Sequence, residues 1–75
     1  MELENMINSQ LEDEQNGISE YQKLSDLVIE NVKEEELKEI AVAGLQKLKA
    51  DEESHFAYLT LLKEILFQGG QENVE

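Results

Sequence analysis

KLKADEESHFAYLTLLK, residues Lys47 to Lys63, is the stretch whose reading decides the fold. Stepping away from Glu52 and His55 at spacings of four and three residues collects Ala41, Leu45, Leu48, Leu59, Leu62 and Leu66, the apolar stripe of one long amphipathic helix. Two polar residues are therefore expected inside an apolar seam. A buried carboxylate costs several kcal/mol unless it is paired, hydrogen-bonded or bound to metal, and a single imidazole is a poor match for it. A metal ion would satisfy both side chains.

Towards the N-terminus the apolar residues Leu3, Ile7, Leu11, Ile18, Leu24, Leu27, Val28 and Val32 recur with helical spacing, and the chain has no proline. They predict a first helix from Glu2 to about Glu30. Its innermost line runs Ile7, Leu11, Glu14, Ile18, Tyr21, Ser25, Val28 and Val32, so Glu14 is a third polar residue in a seam position. Gly17 lies inside this helix, where glycine is about 1 kcal/mol less favourable than alanine, and the sequence offers two readings equally: a backbone or bulky group approaching closely there, or simple tolerance of glycine in a long helix. The phase is lost between Glu30 and Glu36. Asn31 is expected to end the first helix in a left-handed conformation, and Glu34, Glu35 and Glu36 supply the negative charge that suits the next helix N-terminus. The second helix is expected from about Glu34 to Phe67, with Gly44 marking a close helix crossing and Gly69 and Gly70 ending it before a flexible tail, 69–75.

These elements predict an all-α domain over residues 1–68, a two-helix antiparallel hairpin. With the turn centred near Lys33, Glu14 and Glu52 lie equally far from it along the chain, each about 28 Å away at ~1.5 Å per residue. They should face one another, with His55 one turn further along the Glu52 face.

A hairpin of 75 residues buries too little surface to be comfortably stable alone, and without cysteine its staple must be a metal, a partner chain or both. Eighteen acidic residues against six basic ones give a net charge of -12, which disfavours nucleic acid and anionic lipid as partners and concentrates cations nearby. The opening MELENMINSQ lacks the basic and apolar parts of a signal peptide, and no apolar run approaches the roughly 20 residues needed to cross a bilayer. A soluble, cytoplasmic protein is expected. Glu12, Asp13, Glu20, Asp51 and Glu53 flank the seam residues and read as a solvated acidic face or as a cation entry path.

One hairpin offers only Glu14, Glu52 and His55. A two-fold pairing of hairpins would gather four glutamates and two histidines in the middle of a four-helix bundle, where four carboxylate charges balance two divalent ions. A lone Glu-x-x-His arises easily in so acidic a chain. Its coincidence with Glu14 at the same level along the hairpin carries more weight.

Glu14 to Tyr21, EQNGISEY, resembles the Glu-x6-Tyr element of the ferritin and rubrerythrin superfamily, and Glu52 to His55, EESH, resembles the Glu-x-x-His element of its following helix. The similarity runs from about Leu11 to Leu66 and covers half of an ordinary ferritin-like subunit. Short two-helix members, the encapsulated ferritins, are the most similar in architecture. The resemblance implies a homodimer that completes a ferritin-like four-helix bundle around two iron ions, with Glu14 a metal ligand, Glu52 the bridging carboxylate, His55 the terminal imidazole and Tyr21 a hydrogen-bond donor beside the centre. It also implies a higher homo-oligomer or an enclosing protein shell, although the C-terminus lacks a cargo-like tail. The cysteine-ligated rubredoxin domain of full rubrerythrins is missing too.

The implied activity is a ferroxidase, oxidising Fe2+ with O2 or peroxide. Its alternatives are a rubrerythrin-like peroxide reductase and, from a different class, a non-catalytic helical interaction module. Carboxylate and imidazole ligands suit manganese and zinc as well as iron.

Overall fold

The computed structural model describes residues 2–68. Two helices, α1 (Glu2–Asn31) and α2 (Glu35–Lys63), fold back on one another as a hairpin, and α2 continues into a π-helical segment, Glu64–Gln68. The described residues contain no strand. The molecule measures 56 × 15 × 11 Å, a rod two helices wide. No helix among the described residues is long and apolar enough to cross a membrane.

The local chemistry explains where the helices begin and end. Glu2 and Glu4 open α1, and Glu35 and Glu36 open α2, placing negative charge at the positive end of each helix dipole. Glu34 is extended and its carbonyl accepts the Lys38 N–H at 2.9 Å, the first rung of α2. The turn is residues 32–34, centred where equal helix lengths put it. Asn31 ends α1 by a different device from the left-handed one expected. It belongs to the last helical turn, the Val32 N–H still bonds the Val28 carbonyl at 2.9 Å, and the Asn31 side-chain amide donates to the Leu27 carbonyl at 2.8 Å. The side chain thus adds a second donor to a carbonyl of the last turn. The helix stop at Gly69 and Gly70 lies outside the described residues.

Every member of the α1 line Ile7, Leu11, Glu14, Ile18, Tyr21, Ser25 and Val28, and Val32 just past the helix end, is buried or half-buried. In α2 the inward line is rotated from the expected one. It runs Lys38, Val42, Leu45, Lys49, Glu52, Phe56, Leu59, Lys63 and Leu66, all half-buried. Leu45, Glu52, Leu59 and Leu66 keep their seam places, whereas Leu48, His55 and Leu62 are exposed. Lysine can line a narrow seam with its apolar stem while its ammonium reaches the edge, which makes the lysine-bearing row tolerable inside. Gly44 marks no crossing within the hairpin, because a Cβ placed on it would meet nothing within 4 Å.

Like edges of antiparallel helices with a seven-residue repeat lie side by side. One edge of the hairpin is polar, with Asn8, Gln15 and Gln22 beside Gln46, Glu53 and Thr60. The other carries Leu3, Gly17 and Leu24 beside Ala41, Leu48, His55 and Leu62. Next to that second edge stand Met6 and Leu27 on α1 and Leu37, Tyr58 and Ile65 on α2, all exposed. Among the large exposed apolar side chains of the described residues, only Ile29, Ile40 and Leu61 lie elsewhere. Ile7, 8% exposed, is the one buried apolar side chain among the described residues. Most of the large exposed apolar side chains thus lie on or beside one edge of the hairpin, towards its two ends, with Gln10, Asp13, Glu20 and Asp51 exposed between them.

Candidate metal centre

Glu14 stands near the middle of α1, and Glu52 and His55 stand one turn apart on α2. The antiparallel register brings them together: one ligand atom from each lies within 4.8 Å of the other two. His55 Nδ1 is 3.1 Å from Glu52 Oε1 and 3.4 Å from Glu14 Oε1. A single ring nitrogen cannot serve both oxygens. The hydrogen bond goes to Glu52, and Glu14 Oε1 is buried without a hydrogen-bond partner. Such an orphaned acceptor is costly in the interior, and a cation between the three side chains would satisfy it.

The electrostatics agree. The Glu14 side chain is only 16% exposed, and burial, the first cause, raises its pKa above the ordinary carboxylate value. Glu52 adds to the rise in two ways, by a hydrogen bond that exists when one of the pair holds a proton and by repulsion when neither does, while His55 partly opposes it. Glu14 therefore retains a proton more readily than a separate glutamate, and a divalent ion would displace that proton.

Gly17 accounts for the space. A Cβ on Gly17 would lie 2.6 Å from Glu52 Oε2, closer than real Cβ atoms come to a neighbour, so of the two readings of this glycine the close approach holds, and the group is the Glu52 carboxylate. Two carboxylates and an imidazole, one acceptor already desolvated and unpaired, form a donor set that fits a divalent transition metal. His55 is 58% exposed and lies on the apolar edge, so the group opens towards the uncovered face.

Tyr21 is half-buried two turns from Glu14 on the same row, and no hydrogen bond joins its hydroxyl to the three side chains among the described residues. Glu12, Asp13, Glu20, Asp51 and Glu53 are all exposed.

Three polar residues of the seam, Lys49, Gln22 and Gln46, escaped the reading of the sequence. The Lys49 ammonium donates to Gln22 Oε1 at 2.7 Å, and the Gln22 amide donates to Asp26 at 3.0 Å. One turn nearer the loop, the Gln46 amide donates to the hydroxyl of Ser25, itself 1% exposed, at 2.9 Å. These bonds are met in one register of the two helices, the register that sets Glu14 opposite Glu52. The signal was a lysine and two glutamines on or beside the apolar line, which periodicity alone reads as surface.

Comparison with models of protein families, with curated proteins and with solved structures found no match to this chain.

Proposed function

We infer that this chain is half of a ferritin-like di-iron oxidase, and that two copies pair through their apolar faces so that Glu14, Glu52 and His55 from each surround two iron ions. The observation that carries the reading is the desolvated, unpartnered Glu14 Oε1 facing Glu52 and His55 from the opposite helix. The open apolar face supports the pairing, because His55 lies on it beside Leu48 and Leu62. In this reading Glu14, Glu52 and His55 would hold the metals, with Glu52 the carboxylate shared between them and Glu14 and His55 the terminal ligands, and Tyr21, half-buried two turns from Glu14 on the same helix row, would be the hydrogen-bond donor beside them.

Bound iron would supply the redox chemistry, one electron from each of two Fe2+ for the reduction of O2 with two protons to H2O2. The protein's share is positioning and charge. The pooled carboxylates favour the higher charge of the ferric state, Glu14 gives up its proton as cation enters, and the leucines around His55 exclude water once the faces are joined.

Anaerobic protein loaded with Fe2+ and then exposed to air should develop ferric-oxo absorbance faster than iron in buffer, and Glu52→Ala should abolish the excess. Equal rates for the two proteins would remove the oxidase reading and leave a helical interaction module. Replacing air by H2O2 separates an oxidase from a peroxide reductase.

A further inference from the structure

We propose that Gly17 is a positioning residue which sets the metal affinity of the Glu14–Glu52–His55 group by leaving the slot in which the Glu52 carboxylate lies. The proposal rests on the metal-binding reading above, but concerns a residue with no ligand atom of its own. Glycine is a poor choice for the interior of a long helix. At Gly44, the other described glycine, an added Cβ would meet nothing within 4 Å, so space in the hairpin does not call for glycine there. At Gly17 it does. An added Cβ would stand 2.6 Å from Glu52 Oε2, 3.4 Å from its carboxyl carbon and 3.5 Å from its Cγ. The whole end of the side chain is seated against the bare backbone of α1.

That seat fixes the direction of Glu52. Gly17 follows Glu14 by one helical turn, so a carboxylate resting on Gly17 lies beside the Glu14 carboxyl group, while its other oxygen stays 3.1 Å from His55 Nδ1. Any L side chain at position 17 must push the carboxylate away. Because the obstacle is the far end of a flexible side chain, the push costs the fold little and the alignment much. Metal ligands have to be held to within about half an ångström of their working positions, so a shift of that size is read as lost affinity.

The expected pattern is a split between stability and binding. Gly17→Ala should unfold at the same or a higher temperature than wild type in the presence of chelator, because alanine favours the helix. Asn16→Ala, at the exposed neighbouring position, should do likewise. Zn2+ affinity, measured by competition with a chromophoric chelator, should fall at least tenfold in Gly17→Ala and stay within twofold of wild type in Asn16→Ala. Glu52→Asp, one methylene shorter, does not reach the slot, so adding Gly17→Ala to it should cost no further affinity. Retained affinity in Gly17→Ala, or an equal loss in the Glu52→Asp background, would overturn this proposal alone. A wild-type protein that takes up no Zn2+ would overturn the metal reading together with it.

Discussion

Metal and chain pairing should be coupled, and the size of the coupling follows from the ligand count. Each hairpin brings two carboxylates and one imidazole to the candidate site, with His55 opening onto the apolar face. If the paired state alone completes two sites, each ion stabilises it by RT ln(1 + [L]/Kd), about 2.7 kcal/mol at a hundredfold excess over Kd. Two ions then contribute about 5.4 kcal/mol, roughly a 10⁴-fold rise in the association constant at about 1.4 kcal/mol per decade. Sedimentation at micromolar chain concentration, with Fe2+ under nitrogen and again with chelator, spans that range. His55→Ala should remove most of the metal-linked gain while leaving the chelated protein's self-association close to wild type. An association constant that ignores metal, or a monomeric hairpin that binds its full complement of ions, would refute the shared centre.

Three further outcomes can be checked independently. The Glu14 pKa is higher in the folded protein than its ordinary 4.5, so the native state binds that proton more tightly and metal-free stability should fall as pH rises from the ordinary value through the raised one. Acidifying chelated protein from neutrality should thus raise its unfolding temperature, by more in wild type than in Glu14→Gln, and identical profiles would show that Glu14 is not the group responsible. Leu48→Glu places a charge on a side chain already 45% exposed in the hairpin, so monomer helicity by circular dichroism should be retained while pairing is lost in sedimentation; a dimer that survives would exclude this face as the interface. Ser25→Ala strands the Gln46 amide in the seam and should cost about 1 kcal/mol, a fall of about 4–8 °C in Tm for a domain of this size, and an unchanged Tm would mean the bond contributes nothing to the register.

The helices, their antiparallel sense and the level at which Glu14 meets Glu52 were legible in the order of residues. A 3.6-residue period, a break in phase near Lys33 and equal chain distances on either side of it are one-dimensional properties. The oddity of Gly17 inside a helix was legible too, but a close neighbour and simple tolerance fit it equally, and the packing of Glu52 against it decides for the first. Which row of α2 turns inward was not legible in this way. Leu48, His55 and Leu62 share one row and Lys49, Phe56 and Lys63 another, and a period satisfied by both cannot choose between them. The choice is made by pairwise contacts across the hairpin, the Lys49 ammonium on Gln22 and the Gln46 amide on Ser25, whose partners are more than twenty residues away in the chain. That rotation leaves His55 and its leucines on an open face, and it seats Glu52 on Gly17 while stranding Glu14 Oε1 without a partner. Spacing can bring three ligands to one level, but the direction of a carboxylate and the orphaning of an oxygen depend on atoms packed around them in three dimensions.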